Sequence, residues 1–237
     1  MATTSTATAD ANGLVTVSGI VYGPDGLPES GAGVVFGSST SPSSATTGPD
    51  GSYVLHPPVH TSGYLAFYEP AGASPGFAMN AMVNNFGVGT ADVVENFSWP
   101  TTGNIAVSVL NANGTSMPGL TVFDNGGGSV NEVLADGTPI EVEANSPPWG
   151  NQQICTSDVS GQCTFVGLVG SEPNIFANTQ QVPGDLSYPQ LLASANPTWT
   201  GNDGVATLKF VNLDVVTVSG IVYGPDGLSE SDRKSVV

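Results

Sequence analysis

Cys155 and Cys163 are the only two cysteines in the chain. They flank Asp158-Val159-Ser160-Gly161, a turn sequence. With Gly161 in the left-handed conformation, a short loop there sets the cysteines opposite each other across a hairpin, where facing Cβ atoms approach disulfide range. The pair is expected to be a disulfide, which implies an oxidising compartment. Two buried thiols, or half of a metal site, are the rival readings. No CxxC and no histidine follows at zinc spacing.

The only histidines, His56 and His60, lie in His-Pro-Pro-Val-His. On a helix the i, i+4 spacing would let both reach one metal ion, but Pro57 and Pro58 forbid a helix there. Asp25, Asp50, Asp158, Asp203 and Asp226 sit in glycine-containing turns, where an aspartate bonds its own backbone. Calcium is the alternative, though no DxDxDG loop is present. Trp99, Trp149 and Trp199, with Tyr64, Tyr68 and Tyr188, could stack on sugar rings as a ligand platform. Core and inter-module packing is the competing use of such side chains. Asn96-Phe97-Ser98 and Asn113-Gly114-Thr115 fit the N-glycosylation pattern. There is no GxSxG elbow, phosphate-binding glycine loop or HExxH. No catalytic residue, cofactor or metal is expected.

These residues are set out by a chain of 237 residues with 31 Gly, 18 Pro and only 10% charged residues. It is too apolar for plain disorder and too broken for long helices. The formal charge of −17 comes from a near absence of Lys and Arg, three in all. Without a basic stripe to displace counterions, nucleic-acid binding is excluded, and an anionic membrane surface is disfavoured. No stretch has the length and apolarity of a transmembrane helix.

The run Val15–Leu27, VTVSGIVYGPDGL, returns letter for letter at Val216–Leu228. Val15, Val17 and Val21 alternate with Thr16, Ser18 and Ile20 as in a strand with one buried face. Gly19 falls on the buried side, where a bulge or a close approach is expected. Gly23-Pro24-Asp25-Gly26 and Gly48-Pro49-Asp50-Gly51 are turns. Further strands are expected at 32–36, 52–55, 63–68, 92–99, 105–110 and 204–213. The run from Ile105 aligns with the run from Val15, and 158–165 with 48–55, so the second half reads as a diverged copy of the first.

The pattern Val17, Gly19, Val21, Gly26, Pro28, then Gly31-Ala32, Val34, Thr47, Asp50-Gly51, Tyr53, Leu55 and Gly63-Tyr64 resembles the carboxypeptidase regulatory-like (prealbumin-like) family of β-sandwich repeats. Collagen-adhesin B-type repeats of bacterial surface proteins share that general sandwich. The resemblance implies an all-β chain of tandem Ig-like/prealbumin-like antiparallel sandwich modules. The isopeptide staple of the B-type repeats is not expected: residues 14–100 hold no lysine, and Lys209 lies on the last strand of the second half. The His/Arg set of the related hydroxyisourate-opening enzymes is absent too.

The expected organisation is a linker or cut end at 1–13, module one at 14–100, module two at 101–214, and the first strand and turn of a third module at 215–231. Residues 232–237, DRKSVV, match an in-frame translation of a common sequencing adapter and are read as an assembly artefact. The expected role is a non-catalytic extracellular or cell-surface repeat segment, a stalk, spacer or scaffold whose partners are its neighbouring modules. The alternative is a carbohydrate-binding or adhesive module, accessory to a secreted hydrolase, with surface glycans or a host matrix protein as partner.

Overall fold

The computed structural model describes residues 9–39, 42–73, 78–124, 128–134, 136–145, 153–178 and 192–210. The expected third-module strand and the DRKSVV tail lie outside them, as do Trp149, Tyr188 and Asp226. The described residues form an all-β chain of two sandwiches in tandem, as the sequence implies.

In the first sandwich, β1 (Val17–Tyr22) pairs antiparallel with β4 (Ser52–Leu55). Two short closing strands, β7 (Val93–Val94) and β8 (Phe97–Ser98), run parallel to its other edge. They are short because side chains take over the ladder. Asp92 Oδ1 accepts the Thr16 N–H and Asn96 Oδ1 the Ile20 N–H, both at 2.8 Å. Gly19 sits in regular register opposite Tyr53, so it marks a close approach and not a bulge. A Cβ there would lie 1.8 Å from the Glu95 carbonyl oxygen.

The facing sheet contains β2 (Gly33–Gly37), β3 (Ser43–Thr46), β5 (Thr61–Tyr68) and β6 (Ala78–Val88), in the order β3-β2-β5-β6. Period-two alternation turns Val34, Phe36, Leu65 and Phe67 inward, where they meet Val17, Val21 and Leu55 of the other sheet. Phe67 stacks on Phe97 at 4.6 Å, and Phe97 meets Trp99 edge-on at 4.7 Å.

The second sandwich repeats this layout. β9 (Thr102–Leu110) pairs antiparallel with β14 (Gln162–Leu168) and parallel with β18 (Asp203–Lys209), whose far edge carries β17 (Thr198–Thr200). The facing sheet runs β13 (Gln153–Thr156), β10 (Thr121–Asp124), β15 (Ile175–Asn178), β16 (Leu192–Ala195). Its core gathers Ile105, Val107, Leu120, Val122, Ile175 and Leu208.

One element has no counterpart in the first sandwich. Between β10 and β13 the chain inserts a hairpin, β11 (Ser129–Val133) and β12 (Pro139–Asn145). It leaves its own sandwich and adds to the first: β12 pairs antiparallel with β6, from Glu141↔Met82 to Asn145↔Ala78. One six-stranded sheet, β11-β12-β6-β5-β2-β3, therefore contains strands from both halves of the chain. Leu134, Ile140, Val142 and Ala144 are buried in the first core, not the second.

Candidate functional site

The disulfide is present, Cys155 to Cys163 with a Cα–Cα distance of 5.9 Å. Its setting differs from the expected hairpin ladder. The Asp158–Gly161 turn forms with Gly161 at φ 74°. Asp158 Oδ1 accepts the Ser160 N–H, the Ser160 hydroxyl and the Gln162 N–H at 2.6 to 2.9 Å. These bonds, the hydroxyl's foremost, hold its carboxyl below the usual range. The strands beyond the turn then diverge, β13 to β10 and β14 to β9. The disulfide thus staples the two sheets of the second sandwich together.

The other turn aspartates bond their own turns in the same way. Asp25 Oδ1 accepts the Leu27 N–H, and Asp50 Oδ1 accepts the Ser52 N–H and hydroxyl. Asp203 is exposed at the start of β18. Among the described residues no three His, Cys, Asp or Glu side chains converge as a metal site requires. His56 and His60 are both exposed on the loop after β4. Asn96, of the first glycosylation pattern, has its amide oxygen engaged by β1. Lys209 points outward at the end of β18.

The two described tryptophans, Trp99 and Trp199, do not form a shared platform. Trp99 is 3% exposed and packed in the first core. Trp199 belongs to the second, where it lies over Gly103 and Gly204 and its indole N–H donates to the Ser171 carbonyl at 2.7 Å. Each is consumed by packing. Among the described residues the large exposed aromatics are Tyr64 and Tyr68, on the outer face of the six-stranded sheet. The Tyr64 ring lies across Gly37 and the Tyr68 ring over Gly33, their cross-strand partners on β2. On the other side they face Asn84 and Asn80 of β6. Ala66 and Met82 fill the row between them.

Two carboxyls are buried among the described residues. Asp124 is 1% exposed, its Oδ1 has no hydrogen-bond partner, and burial pushes its pKa up to about 6. Glu95 is 2% exposed at the seam where the inserted hairpin meets the first sandwich. Burial first, and the Asp136 charge second, push it up to about 7. The Tyr53 hydroxyl donates to the Glu95 carbonyl at 2.7 Å, and its own pKa is raised by burial. Glu95 and Asp124 belong to different sandwiches, so they do not form an acid–base pair. Neither was singled out from the sequence, because a buried carboxylate has no local signature in a strand pattern.

No protein-family model matches the sequence, and no curated protein matches it significantly. Among solved structures, the chain is similar to the minor pilin GBS52 of Streptococcus agalactiae, at 10% identity and TM-score 0.45 over 87% of this chain and 99% of that one. It is also similar to a streptococcal ancillary pilin, at 14% identity and TM-score 0.38 over 84% of this chain and 63% of the pilin. A third is the shaft pilin SpaA of Lactobacillus rhamnosus GG, at 13% identity and TM-score 0.31 over 86% and 100%.

Proposed function

We propose that the chain is a non-catalytic, extracellular repeat segment that spaces or scaffolds the domains of a surface or secreted protein. Its modules would be 14–100 and 101–214, with neighbouring modules as its partners. The observation that carries this reading is the shared six-stranded sheet. Because β12 of the second half pairs with β6 of the first, the sandwiches are joined by a hydrogen-bonded ladder and by hairpin side chains buried in the first core, not by a linker alone. Such a joint suits a spacer, which must resist bending between modules. A disulfide supports an oxidising location, and no helix among the described residues is long and apolar enough to cross a membrane. Small-angle scattering of the full chain tests the joint. One maximum dimension, unchanged when residues 129–145 are replaced by a short Gly/Ser loop, would overturn it; broadening on that replacement is expected.

The outer face with Tyr64 and Tyr68 favours a second reading, a carbohydrate-binding or adhesive module. Both rings pack over glycines and are partly open to solvent, and stacking on a sugar needs such accessible aromatic surface. A glycan array decides between the two. Reproducible binding by the full chain, lost in the Tyr64→Ala/Tyr68→Ala double variant, would establish the adhesive role; no binding leaves the spacer.

A further inference from the structure

We propose that the outer face of the six-stranded sheet binds a linear amino-sugar polymer with free ammonium groups. The aromatic side of the site comes from the first half of the chain and the acidic side from the second. The proposal rests on the carbohydrate-binding reading of that face and names its ligand.

Strand alternation sorts the outer face into three columns. On β5, Tyr64 and Tyr68 are exposed on either side of Ala66. On β6, Asn84, Met82 and Asn80 stand opposite them in register. On β12, the exposed Glu141 and Glu143 stand opposite Met82 and Asn80. Tyr68, Asn80 and Glu143 therefore share one row, and Ala66, Met82 and Glu141 the next. Two strand spacings, about 10 Å, separate the tyrosine column from the glutamate column. The tyrosines are four residues apart on one strand, about 13 Å. A single sugar ring does not bridge that distance, so the ligand is an oligomer.

Both outer columns are held from below. A side chain at Gly37 would collide with the Tyr64 ring, so the glycine sets where that ring lies. Ile140, Val142 and Ala144 are buried in the first core, and the alternation they impose turns Glu141 and Glu143 outward on an anchored strand.

Each column suits a different part of the ligand. Tyrosine rings offer apolar surface to the C–H face of a sugar and attract nearby cations. Asparagine amides both donate and accept, as ring hydroxyls do. The carboxylates select for charge. A neutral sugar would strip water from them without replacing it, and an acidic or sulfated one would be repelled. An ammonium would pair with them through charge-assisted hydrogen bonds. The fold does not supply that cation itself: among the described residues the one Lys or Arg is Lys209, at the end of β18 in a sheet of the second sandwich. A lysine-rich peptide would satisfy the carboxylates equally well but lacks the hydroxyls that Asn80 and Asn84 match.

Calorimetric titration of the full chain in mild acid, where the amines carry their protons, tests the site with three hexamers: β-1,4-linked glucosamine, its fully N-acetylated counterpart, and hexalysine. The glucosamine hexamer is expected to bind at least about tenfold tighter than either of the others. Glu141→Gln/Glu143→Gln should weaken it by about tenfold, the scale of two exposed ion pairs. Tyr64→Ala/Tyr68→Ala should cost at least as much. Asp203→Asn, at an exposed acid of the second sandwich, should change nothing. Equal or tighter binding of the N-acetylated hexamer would overturn the amino-sugar assignment while leaving the carbohydrate reading in place. No binding of either sugar would overturn both. Hexalysine binding as tightly, or glucosamine binding that survives the tyrosine variant, would overturn the proposal as well, since diffuse negative charge would then account for the affinity.

Discussion

Val142 of β12 lies opposite Ala81 of β6 in an antiparallel ladder, although one belongs to the second half of the chain and the other to the first. Val142 is wholly buried in the first core. The first sandwich is thus completed by a segment translated well after its own closing strands.

The stability of the first sandwich should therefore depend on residues of the second. Ile140 is 1% exposed within the first core. Ile140→Ala should cost roughly 2 to 5 kcal/mol, the range for truncating a buried aliphatic side chain. Hydrogen exchange should place that loss on β1, β2 and β5, leaving β9 and β14 protected. Loss confined to the second sandwich would mean that the hairpin does not dock as described.

The disulfide can be checked by mass. Intact protein with and without reductant should differ by two hydrogens, and free thiols in unreduced protein would contradict the pairing. Reduction reopens a loop of nine residues, Cys155 to Cys163. It should lower the stability of the second sandwich by about 2.5 kcal/mol in the chain-entropy view. The first sandwich should be unchanged, because the staple joins β13 to β14 only.

Asp124 should make the second sandwich more stable in mild acid. Its folded pKa is raised from 3.8 to about 6 by burial. The stabilisation is complete below pH 3.8 and is lost as pH rises through 6. Urea midpoints at pH 4.5 and 7.5 should show the fall. Asp124→Asn, which removes the charge, should raise stability at pH 7.5 by roughly 1 to 2 kcal/mol and flatten the profile. A variant with the same slope as wild type would clear Asp124 of the effect.

What the sequence shows depends on how local the cause is. β1 was legible because buried Val15 and Val17 alternate with Thr16 and Ser18, and the Asp50-Gly51 and Asp158–Gly161 turns because their chemistry lies within four residues. The second half pairs β9 with β14 as the first pairs β1 with β4. The hairpin carries a local signal, Asp136-Gly137 between alternating apolar positions, yet nothing nearby says which sheet it joins. The cysteines' turn could be read, but the divergence of β13 and β14 into facing sheets is a property of their remote partners, β10 and β9. The tryptophans show the same limit. Trp99 and Trp199 look alike as letters, and only the packing of Phe97 against one and Gly204 against the other reveals that both are spent internally.

A first sandwich that borrows strands from the second is incomplete without it. A gene duplication that copied only the first would leave β6 with an unpaired edge and a core lacking Leu134, Ile140 and Val142. The identical run VTVSGIVYGPDGL recurs at Val216, after both sandwiches and not between them.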